Sequence, residues 1–192
     1  MGRVSKQHPD DLLFSLMKSG FETICFDGQN FFDTDHPQDP LSHETISVSN
    51  MQAGTGPAWY LLDLSKEIKP FIWQDREPYE FQTLTNSNDT NVFLTDKYMY
   101  GIRARVNCGF GLWHLAFGSK AELNAENYAA ARAAMSEFKG DRGQLLGVTP
   151  THLVVPTSLE AKARALLMAD EVDGTSNIWK GSAEMIMTPL LS

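Results

Sequence analysis

The sequence predicts an α+β fold, and three observations carry that reading. Over 98–108 the apolar residues Tyr98, Tyr100, Ile102, Ala104, Val106 and Cys108 alternate with Met99, Gly101, Arg103, Arg105 and Asn107, the period of a half-buried strand. Over 124–138 the apolar residues Tyr128, Ala131, Met135 and Phe138 fall on one helical stripe behind the potential cap Asn124. The stretch "HLVVPTSLEAKARALL" joins a short apolar strand to an amphipathic helix. Runs of strand and helix in the order helix, strands, helix, strand, helix, strand are those of an α+β chain.

Taken in order, residues 9–20, "PDDLLFSLMKSG", open with Pro and two acids and close with Lys18 and Gly20, so a short helix with a glycine stop is expected there. Residues 21–57 are rich in Asp, Pro, Asn, Ser and Gly and read as a long connection holding a hairpin, with Asp27-Gly28 as a turn. Strands are expected at 59–64 and 68–73, a polar loop at 74–79, further strands at 81–84 and 92–94, and β character from 97 to 117. Gly140 is the expected stop of the second helix. After the strand at 152–155, Thr157-Ser158-Leu159-Glu160 has the form of a capping box, which predicts a helix starting at Ser158 with Thr157 as its cap. A D-G turn at Asp173-Gly174 and a final strand at 183–188 complete the chain.

At 192 residues, 42% apolar and 21% charged, the chain is long enough to bury roughly 70% of its unfolded surface without disulfide or metal staples. A net charge of −8 with no basic run argues against specific nucleic-acid binding. The longest apolar runs are too short to cross a bilayer, the N-terminus has no signal-peptide h-region, and the myristoylation pattern is not met. Two distant cysteines, Cys25 and Cys108, suit a reducing compartment.

Candidate chemistry is sparse. Asp27, Asp33, Asp35 and His36, with His43 and Glu44 downstream, are residue types that bind divalent metals, yet they are also what turns are made of, and no motif fixes their geometry. Cys108 with His114 or His152 would be a thiol-nucleophile pair, but Cys108 lies on the apolar strand face, so it is expected to be buried and inert, with Cys25 the more reactive thiol. Gly101, Gly109, Gly111 and Gly118 match no phosphate loop, and no G-x-S-x-G elbow is present. Arg103 and Arg105 on one strand face, with Arg76 in the preceding polar segment, are either a solvated face or a contact between subunits. No catalytic residue, cofactor or metal site is assigned.

The blocks "HPDDLLFSLMKSGF", "CFDGQNFFDTDHP", "WYLLDLSKEIKPFIWQDREP", "GFGLWHLAFGSKAEL", "GDRGQLLGVTPTHLVVPTSLEAKARALL" and "NIWKGSAEMIMTPLL", in this order, resemble the major head (capsid) subunit of Mu-like phages and prophages over nearly the whole chain. That family is similar in turn to HK97-type capsid proteins. The resemblance implies a structural, non-enzymatic protein of the HK97-like capsid fold, found in the virion and, before assembly, in the host bacterial cytoplasm. Its partners would be copies of itself and other phage head proteins, with no membrane.

By the same resemblance, 1–20 is the end of a spine helix, 21–118 a connection and peripheral-domain sheet with a projecting loop, and 119–192 an axial-type region of helix and strand. The family's N-terminal arm and extended loop have no counterpart here, so the chain is expected to be a truncated product or fragment. It would then expose Leu12, Leu13 and Leu16 on its first helix and form small oligomers instead of closed shells. Two alternatives stand beside the capsid reading: a hydrolase using an Asp/His metal site within 27–43, and a non-functional prophage remnant.

Overall fold

The computed structural model describes residues 2–38, 45–86, 88–140, 142–172 and 174–192. Its elements are α1 (Gly2–Ser19), β1 (His36–Gln38), β2 (Ile46–Val48), β3 (Met51–Gln52), β4 (Trp59–Leu62), β5 (Phe71–Leu84), α2 (Thr90–Thr95), β6 (Met99–Phe110), β7 (Ala116–Ser119), α3 (Ala125–Ser136), β8 (His152–Pro156), α4 (Glu160–Met168), β9 (Glu171–Val172), β10 (Thr175–Ser176) and β11 (Glu184–Thr188). The mixed helix and sheet content is that of the expected α+β chain.

The core is built on a mixed five-stranded sheet in the order β11-β8-β4-β7-β3. β4 is its axis, antiparallel to both neighbours, while β11 runs parallel to β8 and β3 parallel to β7. All four β4 residues are buried, as a continuous apolar run between two packed layers must be. Trp59 satisfies its indole N–H on the Ala121 carbonyl at 2.9 Å. Tyr60 packs against Phe21 and Phe32, and burial pushes its phenol far up from its ordinary range. α4 packs on β8 and β11 through Ala163, Leu166 and Leu167, and α3 packs on β7, burying Tyr128, Ala131 and Met135. Asn124 caps α3 as expected, its side chain accepting from the Asn127 N–H at 2.8 Å.

Several elements depart from the sequence reading for identifiable reasons. α1 begins at Gly2, not Pro9, and carries Pro9 inside it. The extra turns rest on β5 and β6, where the His8 ring pairs with the Tyr79 hydroxyl at 2.7 Å, so tertiary packing overrides the proline signal. The expected loop at 74–79 is the middle of β5, which pairs with β6 from Phe71↔Phe110 to Leu84↔Met99. Two irregularities interrupt the register. Arg76 is the extra residue at the first, and Pro78, which has no N–H to give the ladder, lies in the second. Residues 92–94 are not strand but part of α2, which reverses the chain between β5 and β6; Asp96, at φ +50°, ends it by donating its N–H to the Val92 carbonyl.

The expected capping box is also corrected. Thr157–Leu159 form a 3₁₀ turn, the Glu160 N–H is held by the Thr157 carbonyl, and α4 starts at Glu160 with no side-chain cap. Glu160 pairs instead with Arg164 one turn on, at 2.8 Å. The expected boundary at 118/119 falls inside β7, and the one sheet takes strands from both sides of it. Residues 21–57 are more than a connection: Phe31, Phe32 and Asn50 are fully buried, a tight turn at 25–29 uses Gly28 at φ +90°, and β1 pairs with β2 as the hairpin. At the second D-G turn Gly174 is at φ +75° between the antiparallel β9 and β10, and Asp173 lies outside the described residues.

Candidate assembly surfaces

The surface outside the core sheet is dominated by the β5–β6 ribbon. Its base is anchored in aromatic packing, with Phe110 stacked on Phe31 at 4.3 Å and Phe71 against the same ring at 5.2 Å. Gly111 is required there: a Cβ would stand 2.2 Å from the Lys69 carbonyl oxygen. One face of β6 follows the alternation read from the sequence, with Ile102, Ala104, Val106 and Cys108 half-buried and Arg103, Arg105 and Asn107 exposed. α1 covers part of the apolar face, since Val4 and His8 lie by Ile102 and Ala104.

An apolar cleft of about 370 Å³ separates α1 from the ribbon base, lined by Leu13, Phe14, Met17, Phe71, Trp73 and Cys108 among others. Beyond α1 the ribbon carries large apolar side chains with little cover. Phe81 stacks on Tyr100 yet both stay mostly exposed, as does Tyr98; Leu84 and Met99 are just under half exposed, and at the tip Phe93 and Leu94 are 81% and 72% exposed. A run of bare apolar side chains on an extended arm is the usual chemistry of a surface that meets another chain.

The residues singled out from sequence divide between this surface and the interior. Arg103 and Arg105 both turn to Glu77, at 2.9 and 3.1 Å, and remain well exposed, a small charge network of the sort that adds under about 1 kcal/mol to stability. Arg76 is exposed at its bulge. Leu12, Leu13 and Leu16 are half-buried, not exposed, and Leu13 lines the cleft. The sequence reading missed Phe93 and Leu94 by taking them for strand, although "NVFLTDKYMY" concentrates apolar residues that match no single core face.

Cys108 lines the apolar cleft and is half-buried, less covered than expected, with burial pushing its thiol up. His152 is engaged by Thr151 at 2.8 Å and Glu184 at 3.4 Å, and His114 stacks on Trp113. At Cys25 burial and the hydrogen bond to Asp27 push the thiol up to about 11. Of the acids and histidines in 27–44, Asp27 and His36 come together at 2.7 Å. Asp33 instead accepts from the Asn30 and Thr34 amides, and Asp35 is exposed. His43 and Glu44 lie outside the described residues.

A mixed-sheet core carries a long helix laid against a projecting two-stranded ribbon, and solved phage head proteins of the HK97-like capsid class share this fold. The chain superposes on a chain of the procapsid of bacteriophage JBD30 with a TM-score of 0.87 and 41% identity, covering 99% of this chain and 66% of that one. A chain of the JBD30 capsid gives the same TM-score at 27% identity, covering 100% and 66%. Residues 1–191 match the model of the Mu-like prophage major head subunit gpT, and the chain belongs to that family.

It is 37% identical over 201 residues to the major capsid protein of Escherichia phage Mu, covering all of this chain and 66% of that protein. It is 40% identical over 174 residues to the Mu-like prophage FluMu major head subunit of Haemophilus influenzae, covering 87% and 56%. The chain thus spans between about half and two thirds of the length of these relatives. The family is one of structural head subunits, and the hydrolase alternative finds no support in it.

Proposed function

We propose that the chain is shell-building material: a head subunit that contacts other copies of itself, and other head proteins, through the β5–β6 ribbon and the adjoining side of α1. Membership of the gpT family supports the class of function. The observation that carries the contact surface is the bare ribbon end, where Phe81, Phe93, Leu94, Tyr98, Met99 and Tyr100 have no core to enter. Arg76, Arg103 and Arg105 would flank that contact, and Leu12 and Leu16 would border it on α1. Such residues are typical of an apolar interface centre with a charged rim.

In this reading α1 is the end of the spine helix, the ribbon with α2 is the peripheral projection, and the five-stranded sheet with α3 and α4 is the axial body. The subunit would work in the virion, reached from the host cytoplasm. Light scattering after size exclusion, over a range of concentration, tests the contact surface. Mass is expected to rise with concentration, and the Phe93→Ser/Leu94→Ser double variant is expected to weaken that rise while keeping the thermal midpoint. A strictly monomeric chain at every concentration would overturn it.

A further inference from the structure

Away from the ribbon, three metal-ligating side chains of different chemistry converge on one point: Cys25 and Asp27 from the tight turn after α1, and His36 from β1. Their ligand atoms all lie within 4.8 Å of one another. Two atoms bonded to a single tetrahedral zinc at about 2.3 Å and about 2.1 Å stand about 3.6 Å apart, so side-chain rotations that close the widest gap by about 1 Å bring the three into a first coordination shell. The turn is fixed by its own backbone, with the Cys25 N–H donating to the Gln29 carbonyl at 2.7 Å and the Gln29 N–H to the Asp27 carboxylate at 3.1 Å.

An independent feature sets His36 up as a ligand. The Asn50 amide is oriented unambiguously: its Nδ2 donates to the carbonyls of Phe31, Trp113 and Ala116, at 2.8, 3.4 and 3.3 Å, so its Oδ1 accepts. That oxygen receives the Asp33 N–H at 2.9 Å and faces Nε2 of His36 at 3.1 Å, so Nε2 is the protonated nitrogen whatever the other carries. Nδ1 is thereby turned to the Cys25–Asp27 side, at 2.7 Å from Asp27. A ring nitrogen held by an acceptor while its partner points at other ligands is the outer-shell arrangement that metal-binding histidines need. Trp113, stacked on the fully buried ring at 4.0 Å and 12°, locks the ring plane.

We infer that Cys25, Asp27 and His36 form a binding site for one divalent transition-metal ion of the zinc class, coordinated through Sγ, a carboxylate oxygen and Nδ1 with solvent in the remaining position. Thiolate and imidazole ligands select zinc-like ions over calcium or magnesium. Without metal, the carboxylate is engaged on each side, by Cys25 Sγ–H at 3.0 Å and by His36 Nδ1 at 2.7 Å. On binding, the S–H bond breaks, metal bonds to sulfur, nitrogen and oxygen form, and the thiol proton, with any proton on Nδ1, passes to solvent. The bound ion would staple the 25–29 turn to β1 and hence α1's exit to the core, and it has no part in the ribbon contacts.

The Cys108→Ser variant tests this directly, because it leaves Cys25 as the sole thiol of the full chain. Cobalt(II) added to it is expected to give a sulfur-to-cobalt charge-transfer band saturating at one equivalent, and zinc(II) is expected to erase the band by displacement. Asp27→Asn in the same background should weaken cobalt binding at least tenfold while the circular dichroism of the metal-free protein stays unchanged. Absence of the band up to millimolar cobalt, with the variant folded, would overturn the site. A band of equal strength and affinity after Asp27→Asn would overturn the proposed ligand set.

Discussion

β4 and β5 are strands of opposite kind. The four residues of β4 are all buried, whereas none of the fourteen of β5 is, although its ladder with β6 spans the ribbon. A two-stranded ribbon gains little by itself in water, since each face must be covered to contribute. Here α1 covers part of one face and the aromatic base of Phe31, Phe71 and Phe110 holds the root, while the far end is held in shape by backbone pairing and the exposed Phe81–Tyr100 stack. The core is therefore stabilised by what the chain does to itself, and the ribbon end is shaped for what another chain does to it.

That contrast is most easily broken by matched truncations. Leu61→Ala, at a site with no solvent exposure, is expected to cost about 2–5 kcal/mol through lost transfer energy and the cavity left behind. Phe81→Ala removes a larger ring, but from a ribbon site that is 59% exposed, and is expected to change stability by no more than about 0.5 kcal/mol. Denaturant midpoints of the two variants at constant m-value measure the difference. Equal losses would mean the ribbon end is part of the cooperative core.

A smaller effect sharpens the picture of how the core's polar interior is held. Asp63 is fully buried at the end of β4 and accepts from the Ser65 N–H and hydroxyl and from the Thr149 N–H at 3.0 Å. Burial alone would raise its carboxyl, but the Ser65 hydroxyl, the Thr149 and Ser65 amides and the Lys66 charge outweigh that and hold it below the ordinary range. A carboxyl lowered on folding contributes stability that is complete above its unfolded value of about 3.9 and fades as pH falls from there through the folded value. Asp63→Asn places an amide where donors point and is expected to cost about 1–3 kcal/mol at neutral pH. The loss should shrink on acidification below about pH 4, where the wild-type carboxylate is itself being protonated. A loss independent of pH would show that the charge at Asp63 is not what its donors recognise.

Much of the core could be read in advance because its patterns are local. β8 is a short apolar run, α3 has its cap and stripe within fifteen positions, and the β6 alternation reports a helix covering one face. What escaped depends on partners distant in sequence. Residues 74–79 are polar and contain Pro78, so only pairing with β6 makes them strand. The first turns of α1 exist because the ribbon supports them, and α2 forms where the ribbon must reverse. At the candidate metal site, Asp27 and His36 were visible as residue types, but Cys25 and the Asn50 amide that orients the ring became evident only when β1 folded back on the turn.

The smallest effect separates two sequence signals that look alike. Asn124 and Thr157 both precede helical stripes and both are good capping residues by type. Asn124 sits at an extended φ of −143° with its side chain on the Asn127 amide, so it satisfies a donor that α3 would otherwise leave free. Thr157 enters a 3₁₀ turn whose backbone already holds the Glu160 N–H, and its hydroxyl is directed at the Met187 sulfur, 3.7 Å away, a weak acceptor. Asn124→Ala is accordingly expected to destabilise by about 1 kcal/mol. Thr157→Ala should stay within about 0.5 kcal/mol of wild type, because it removes no hydrogen bond from a backbone donor. Chemical denaturation of both variants side by side reads the difference, and a cost at Thr157 matching that at Asn124 would restore the hydroxyl as the cap of α4.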